Sequence, residues 1–279
     1  MSGLEVRRGP TRVLLWIVMI ITVLVYAFPF IYMLLTSFKA PLETISVPPR
    51  ILPSHWTLEN YETALQRDGV IASFINGLMT AVLSTGISLV LAVPAAYAVT
   101  RYRTKYGQVF IILALVMRMV PPVAVGVPMV QIFQSIGIYD TTFALSLAHV
   151  TIALPLSVWL MSSFFEAVPV ELEEAAKIDG ASRLGALWRV VLPVTAGGIA
   201  VTAIFAFLAS WNEFMFALLL TAFRSQTTPI VIANFQTQFG LDWGAMTALA
   251  VLYSLPVIVL TLFLQRHIVA GMTMGAVKG

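Results

Sequence analysis

Long apolar segments separated by polar loops dominate the pattern of the chain. Six such segments cover residues 13–35, 71–99, 109–133, 142–165, 194–223 and 245–264. An apolar run of about 18 or more residues with few charges is long enough to cross a bilayer as a helix. Backbone N–H and C=O groups find no water in lipid, so these runs must satisfy them internally. The pattern therefore predicts an all-α membrane protein with six transmembrane helices.

The polar segments divide the chain further. The first apolar run is too long for a signal peptide and no small-residue cleavage site follows it, so we interpret it as a retained helix. We expect a short N-terminal segment, a membrane domain and a C-terminal tail, at residues 1–12, 13–268 and 269–279. Within the membrane domain the longer loops are those at 36–70, 166–193 and 224–243.

Composition supports this interpretation and excludes several classes of protein. The 279 residues are 59% hydrophobic and only 10% charged, whereas a soluble domain is usually about 25% charged. The absence of Cys excludes disulfides, thiolate nucleophiles and Cys-ligated metals. A net charge of +3 is too small to indicate binding to nucleic acid.

Lys and Arg are distributed unevenly between alternate loops. Eleven lie in the N-terminus, the loops after the second and fourth helices, and the C-terminus: Arg7, Arg8, Arg12, Arg101, Arg103, Lys105, Lys177, Arg183, Arg189, Arg266 and Lys278. Four lie in the other loops: Lys39, Arg50, Arg67 and Arg224. Because positive charge collects in cytoplasmic loops, we expect both termini to be cytoplasmic.

The loop at 166–193 has the sequence features of a helix, a turn and a second helix. Pro169 suits the first helical turn, and the glutamates that follow it favour the positive end of the helix dipole. Gly180 can take the left-handed conformation that ends a helix, and Ser182 is a suitable N-cap for the next one. Four apolar residues then recur at helical spacing and predict one apolar face: Leu184, Leu187, Trp188 and Val191.

This loop resembles the EAA motif of permeases from binding-protein-dependent ABC importers. The motif is Glu-Ala-Ala, three residues, Gly, nine residues, an aliphatic residue, one residue and Leu-Pro. Here Glu174-Ala175-Ala176 leads to Gly180, and Val190, where isoleucine is usual, leads to Leu192-Pro193. The Lys-Ile-Asp-Gly-Ala-Ser version is most similar to carbohydrate permeases of the maltose-permease type. The sequence Trp-Asn-Glu-Phe at 211–214 and the tail at 271–279 also resemble that group.

The resemblance implies the type I ABC importer permease fold and a function in the uptake of a sugar, polyol or sugar derivative. In that family the EAA loop is a coupling helix, which docks on the ATPase subunit and transmits its closure to the membrane helices. The resemblance assigns this role to the segment from Glu173 to Leu187. The residues expected to carry it are Glu173, Glu174, Ala175, Ala176, Asp179, Gly180, Ala181 and Leu184.

The resemblance also implies partners. They are a second, homologous permease that completes a heterodimer, two ATPase subunits, and a solute-binding protein that is periplasmic or lipid-anchored. The chain has no Gly-x-x-x-x-Gly-Lys-Ser/Thr phosphate loop. We therefore expect ATP and Mg to be used by the separate ATPase, and this chain to bind no cofactor and to catalyse no reaction itself.

Polar residues within the apolar segments are candidates for the translocation path. Charges in membrane helices usually face protein or water, and Arg118 and Glu213 are the charged residues in question, with Asn212 beside the second. At about 1.5 Å per residue, the depths of Arg118 and Glu213 differ by roughly 15 Å, so no direct pair is expected unless a helix is strongly kinked. Pro121, Pro122 and Pro128 could kink the third span just beyond Arg118. Each could equally bond to backbone or to a neighbouring helix. We expect His149 to be a neutral interhelical hydrogen bonder, without an acidic neighbour that would complete a metal site.

The loop at 224–243 is a candidate contact for the binding protein. In maltose-type permeases the corresponding loop reaches into the binding protein and helps to displace its sugar. The resemblance extends that role to Asn234, Phe235, Gln236, Thr237 and Gln238, where amides and an aromatic ring suit a sugar. The alternative is a solvated loop whose apolar residues cap the helix bundle.

Two other classes of function remain to be distinguished. An ion-coupled secondary transporter would need buried carboxylates at mid-membrane and would leave the EAA loop unexplained. An intramembrane enzyme would need a clustered Ser/Lys, paired-Asp or His-rich site, and the sequence offers none. Co-purification with an ATPase that carries a phosphate loop would separate the importer from both.

Overall fold

The computed structural model describes residues 10–102, 106–237 and 240–276, and these are overwhelmingly helical. The α-helices are α1 Pro10–Ser37, α2 Glu59–Gln66, α3 Val70–Tyr102, α4 Gly107–Met117, α5 Pro122–Ser135, α6 Thr142–Glu166, α7 Val170–Ile178, α8 Arg183–Ala186, α9 Leu192–Val194, α10 Ala196–Trp211, α11 Met215–Leu220, α12 Thr228–Ala233 and α13 Trp243–Ala276. A 3-10 helix covers Pro41–Ile45 and a π-helical turn covers Leu187–Val191. Two short antiparallel strands, β1 Gln236–Thr237 and β2 Gly240–Leu241, form a hairpin.

Four to six segments of the described chain have membrane-crossing length, depending on whether each of two bent helix pairs is one span. By length and apolar composition four helices of the described chain can cross a bilayer, namely α1, α3, α6 and α13. Two bent pairs raise the number to as many as six. The kink that prolines could introduce into the third span just beyond Arg118 is present, because α4 and α5 meet at 83°. Pro121 and Pro122 lie at this break, where their rings and missing N–H groups cannot continue a helix.

The fifth predicted helix is also interrupted. Helix α10 ends at Trp211 and α11 begins at Met215, so the three residues between them leave the helix. At its other end, α10 is bent by 80° relative to the segment Arg183–Val194. The expectation of an uninterrupted helix over 194–223 is therefore wrong, and the breaks lie where the functional candidates were predicted.

One structural unit comprises Asp68–Asn234 together with the chain from Tyr253 onward. Within it α3, α6 and α10 pack against one another. Small side chains line the buried face of α3, including Ala81, Ser84, Ser88 and Ala92. Small residues allow helix backbones to approach closely, which is how helices associate in lipid where the hydrophobic effect is absent.

The other unit comprises the chain up to Arg67 and Phe235–Leu252. The apolar stretch of α1 is exposed along its length. The segment that follows is held by polar contacts: Lys39 is buried, donates from Nζ to the carbonyl of Arg50 at 2.6 Å, and lies over the ring of Tyr32. Asn60 on α2 donates to the carbonyl of Lys39 at 2.7 Å. The loop at 36–70 therefore contains a short helix, α2, that is tied to the segment before it.

Candidate functional site

The predicted coupling loop folds as a helical hairpin. Pro169 is the N-cap of α7, and the helix ends where Gly180 adopts a left-handed φ of +87°. The N–H of Gly180 donates to the carbonyl of Lys177 at 3.0 Å, which closes the last turn. Ser182 then caps α8, because its hydroxyl accepts a hydrogen bond from the N–H of Gly185 at 3.1 Å. The turn chemistry predicted from Gly180 and Ser182 is confirmed. We call residues 170–191 the coupling segment.

The outward surface of the coupling segment is a mixture of apolar side chains and charged side chains of both signs, the cations being Lys177, Arg183 and Arg189. Among the residues predicted to contact the ATPase, Ala176 and Ala181 are half-buried, and the exposed ones are Glu174, Ala175, Asp179, Gly180 and Leu184. Ile178 is 86% exposed, Leu184 66% and Trp188 67%. Large apolar side chains this exposed on a loop connecting two membrane helices indicate a contact surface.

The apolar face predicted for the second helix is only half covered. Leu187 and Val191 are buried in a cluster with Tyr97 of α3 and with Met161 and Phe165 of α6. Leu184 and Trp188 lie on the other edge of the same face and remain exposed. The coupling segment is therefore anchored along one edge to the adjacent ends of α3 and α6, while its other edge is exposed.

Glu173 lies in the interior and not on the outward surface of the coupling segment. It is 1% exposed, and its carboxylate accepts hydrogen bonds from the hydroxyl of Tyr97, at 2.8 Å, and from Nε of Arg101. The guanidinium of Arg101 also donates to the carbonyl of Val168 at 3.0 Å. Glu173 therefore faces the interior of this chain, and its expected part in coupling to the ATPase stays a prediction. No local signal distinguishes it from Glu174, since the partners lie more than 70 residues away.

The sequence Trp-Asn-Glu-Phe at 211–214 forms the interruption between α10 and α11. Trp211 is buried and stacks on Phe207, at 5.7 Å between ring centroids, and on Tyr253 of α13, at 5.0 Å. The hydroxyl of Tyr253 donates to the carbonyl of Trp211. Offset-stacked rings fix the relative position of the two helices. The tryptophan of this sequence is therefore structural.

Glu213 compensates for the broken helix. Its carboxylate accepts hydrogen bonds from the N–H groups of Phe216 at 2.9 Å and Ala217 at 3.2 Å, which belong to the first turn of α11. Its Oε2 atom also lies 3.3 Å from Nε2 of His149, and Nδ1 of His149 lies 2.7 Å from the hydroxyl of Ser210. The prediction that His149 bonds between helices is confirmed, and its acidic neighbour Glu213 is one that lies more than sixty positions away in the sequence.

The three candidates for the translocation path are therefore not equivalent. Glu213 is buried and bonded, whereas Asn212 is exposed, with its amide donating to the carbonyl of Leu208 at 3.0 Å. Arg118 is exposed at the end of α4 and forms no ion pair with Glu213 among the described residues. Within the described chain no group of three His, Asp or Glu residues could hold a metal ion.

A second polar centre joins the turn before α6 to the segment after α11. Asp140 adopts a left-handed φ of +56°, and its carboxylate accepts four backbone N–H bonds of 2.9–3.1 Å from residues 222–225. Burial by itself raises the pKa of Asp140, but these donors outweigh it and lower the pKa to about 2. Asn76 of α3 holds the same segment by donating to the carbonyls of Arg224 and Gln226, at 2.9 and 3.1 Å. We call these contacts the outer clasp; sequence reasoning did not find it.

The candidate contact for the binding protein is only partly consistent with its structure. Asn234 is exposed, and Gln236 and Thr237 form β1 of the hairpin. Phe235 is 1% exposed, with the guanidinium of Arg67 located 4.3 Å from its ring centroid. Its ring is therefore not available for stacking on a sugar, and this part of the prediction is wrong. Gln238 lies outside the described residues.

Comparisons with known proteins agree along almost the whole chain. The family model described as "Binding-protein-dependent transport system inner membrane component" matches residues 69–274. The trehalose transport system permease protein SugB of Mycobacterium tuberculosis is 37% identical over 275 residues, which cover 97% of this chain and 100% of that protein. The trehalose/maltose transport system permease protein MalG of Thermococcus litoralis is 36% identical over 272 residues, with coverage of 96% and 97%.

The fold has a counterpart among solved structures. A chain in the crystal structure of a bacterial ABC transporter involved in the import of the acidic polysaccharide alginate superposes with a TM-score of 0.77. The two chains are 21% identical, and the match covers 95% of this chain and 98% of that chain. At this identity the likeness concerns the fold.

Proposed function

The chain belongs to the family of binding-protein-dependent inner membrane components, the permease subunits of ABC importers, and from this premise we propose that it imports a sugar, polyol or sugar derivative. Two relatives with more than a third of their residues identical are named for trehalose or maltose transport. The EAA-type loop with Lys-Ile-Asp-Gly-Ala-Ser supports the same class of solute. As a permease, the chain is a translocation subunit and not an enzyme.

The observation that carries the proposed mechanism is the outward surface of the coupling segment. It presents Glu174 and Asp179 next to the exposed Ile178, Leu184 and Trp188, on a hairpin whose opposite edge is fixed to the membrane helices. Exposed Lys177, Arg183 and Arg189 adjoin the same apolar residues. An apolar patch rimmed by charges of both signs suits a groove with apolar walls and a charged rim. We assign that groove to the ATPase subunit, which binds ATP and Mg and moves the hairpin when it closes.

The proposed assembly contains a second, homologous permease, two ATPase subunits and a solute-binding protein. The heterodimer and the ATPases are inferred from the family. The exposed apolar length of α1 supports a location against lipid or another permease, because such a surface is not stable in water. ATP binding would close the ATPases and open the cavity outward to receive solute, and hydrolysis would reset it inward.

We place both termini on the cytoplasmic side of the inner membrane. The excess of Lys and Arg in alternate loops supports this orientation. Contacts within the chain are consistent with the alternation: Arg101 and Glu173 join two loops assigned to the inner side, whereas Asp140 and the segment 222–225 join two loops assigned to the outer side.

Asn212 and Arg118 remain our candidates for the translocation path, since both are exposed in membrane-crossing segments. Glu213 instead holds the helix break that positions Asn212, through its bonds to α11. The Asn212 amide, beside the helix break, suits a hydroxylated solute because it supplies both a donor and an acceptor.

For the binding protein we propose contacts with Asn234, Gln236, Thr237 and Gln238, without Phe235.

Co-purification tests the assignment. A tagged permease, expressed in its native host, should retain an ATPase that carries a phosphate loop in mild detergent. Glu174→Lys should abolish retention by reversing an exposed charge in the contact. Glu171→Lys is the matched control, because Glu171 is exposed on the same helix outside the assigned contact. Equal retention of ATPase by both variants would contradict the docking surface.

The solute is best identified on the binding protein. A ligand that binds only the folded protein raises its unfolding temperature, by a free energy that grows with ligand concentration over Kd. Trehalose, maltose, polyols and sulfonated sugars should be compared in one thermal-shift series. Stabilisation by amino acids or inorganic ions alone, with no carbohydrate effect, would refute the proposed solute class.

A further inference from the structure

We propose that Tyr97, Arg101 and Glu173 form a rigid joint through which the coupling segment moves the second transmembrane helix. We call these three residues the inner joint. Glu173 is then a positioning residue of the transport cycle and not an ATPase contact. The inference rests on the proposed function, since it concerns how movement of the docked hairpin reaches the membrane.

The geometry of the inner joint leaves it little freedom. The two carboxylate oxygens of Glu173 are bonded to different groups of α3: Oε1 to Arg101 and Oε2 to Tyr97. Arg101 uses a second nitrogen to bond the carbonyl of Val168, immediately before α7. One guanidinium therefore holds both the start of α7 and a side chain one turn further along it.

Burial makes the inner joint expensive to open. Glu173 is 1% exposed and Tyr97 7%, and the Tyr97 ring packs edge-on against Phe165 at 6.1 Å between centroids. Separating a buried carboxylate from its partners leaves a charge without compensation in a low-dielectric site. When α7 is displaced, moving the inner end of α3 together with it therefore costs less free energy than breaking these bonds.

A second contact joins the same two parts of the chain. The guanidinium of Arg183, at the start of α8, lies 5.2 Å from the ring centroid of Tyr102, the last residue of α3. Contacts on both arms of the hairpin restrict its rotation relative to α3, which a single contact would not do.

Helix α3 continues from the inner joint to the opposite side of the membrane. It is unbroken over 33 residues, which corresponds to about 50 Å at 1.5 Å per residue. Near its outer end, Asn76 bonds two carbonyls of the outer clasp. Movement of the inner joint thus has a direct mechanical connection to the outer loop, through one helix and hydrogen bonds at each end.

The absence of Cys allows a direct measurement of this connection. Spin labels at Leu91→Cys on the exposed face of α3 and at Glu171→Cys on the exposed first turn of α7 report the distance between the two helices. In the complete transporter we expect the same mean distance without nucleotide and with ATP trapped. In Glu173→Gln we expect the distance to change or broaden when ATP is added, because α7 moves without α3.

Uptake provides the second measurement. Glu173→Gln should lower solute uptake at least roughly tenfold, as expected for a lost hydrogen bond to a charged group, while the ATPase still co-purifies. Tyr97→Phe removes one hydroxyl and keeps the ring, and should lower uptake by a smaller factor of about two to five. Glu171→Gln, on the exposed side of the same helix, is the control and should keep normal uptake.

The outcomes separate the inner joint from the docking assignment. Uptake within twofold of wild type in Glu173→Gln, or a distance that is unchanged by ATP in that variant, would overturn the proposal. Loss of the ATPase from Glu173→Gln would make Glu173 a determinant of docking and would also overturn it, leaving the proposed function intact. Failure of the wild-type chain to retain any ATPase would instead refute the proposed function.

Discussion

The outer clasp makes a prediction in which the charge of one carboxylate can be separated from its backbone role. Asp140→Asn keeps a residue that tolerates the left-handed φ of +56°. It replaces Oδ2, which accepts N–H bonds from Phe223 and Arg224 at 3.1 Å, by an NH₂ group that cannot accept them. We expect the segment 222–225 to be released and the apparent unfolding temperature of the purified permease to fall.

The magnitude follows from the pKa of Asp140, which is lowered from its ordinary value of 3.8 to about 2. A lowering of that size corresponds to at most about 2.5 kcal/mol of stability at neutral pH. Solvent screening at this half-buried site reduces the figure to roughly 1 kcal/mol, which is a few degrees in unfolding temperature for a chain of this length.

The direction in which stability changes with pH follows from the lowered pKa of Asp140. Because the folded pKa lies below the unfolded value, this stabilisation is complete above about pH 5 and is lost as the pH falls towards 2. Wild type and Asp140→Asn should therefore differ most in unfolding temperature at pH 7, and the difference should shrink at pH 3 and vanish only near pH 2 or below. The other carboxylates titrate in both proteins, so their effect cancels in the difference between the two unfolding temperatures. Asp179→Asn is the control, because Asp179 lies at an exposed position. Equal unfolding temperatures at pH 7, or a difference that persists unchanged at pH 3, would refute this account of the outer clasp.

Three further predictions concern the hairpin, the helix packing and the intramembrane charges. Gly180→Ala forces a side chain into a left-handed turn at a cost of about 1–2 kcal/mol, so solute uptake should fall at matched membrane levels; normal uptake would argue against a fixed turn. Gly198→Ala places Cβ 2.4 Å from a phenylalanine ring, whereas Gly197→Ala meets nothing within 4 Å. Gly198→Ala should lower the unfolding temperature of the permease by an amount equivalent to about 1–3 kcal/mol, whereas Gly197→Ala should leave it unchanged. Equal effects of the two variants would contradict the packing at Gly198. Exchanging the charges of Arg118 and Glu213 should not restore the uptake lost in the single variants; clear rescue would show that the two side chains pair.

Sequence reasoning reached the hairpin turn but not the direction of its side chains. The left-handed glycine and the serine cap are local features, decided by residues within one or two turns, and both are present as predicted. Glu173 and Glu174 have nearly the same local sequence context, yet one is buried and the other exposed. The difference depends on Tyr97 and Arg101, which only the packing of α3 against α7 brings close.

For the polar residues of the membrane segments, too, the sequence did not reveal contacts with residues far away in the chain. Depth along the sequence separated Arg118 from Glu213, which stays a prediction, but it treated the fifth region as one straight helix. The break after Trp211 brings Glu213 beside His149 and turns a presumed path residue into a cap for α11. A helical count along one segment cannot show a partner on another, nor a break that is stabilised by that partner.

The sequence by itself determined that this chain crosses a membrane, where its apolar segments lie, and that an EAA-type hairpin follows the fourth. These features depend on bilayer thickness, backbone hydrogen bonding and helix capping, which act over neighbouring residues. Only the tertiary structure decided that Glu173 faces α3, that Glu213 meets His149, and that Asp140 gathers the N–H groups of 222–225. Those contacts join residues more than sixty positions apart, and a polar side chain in a low-dielectric interior settles wherever the packed helices present the groups that satisfy it.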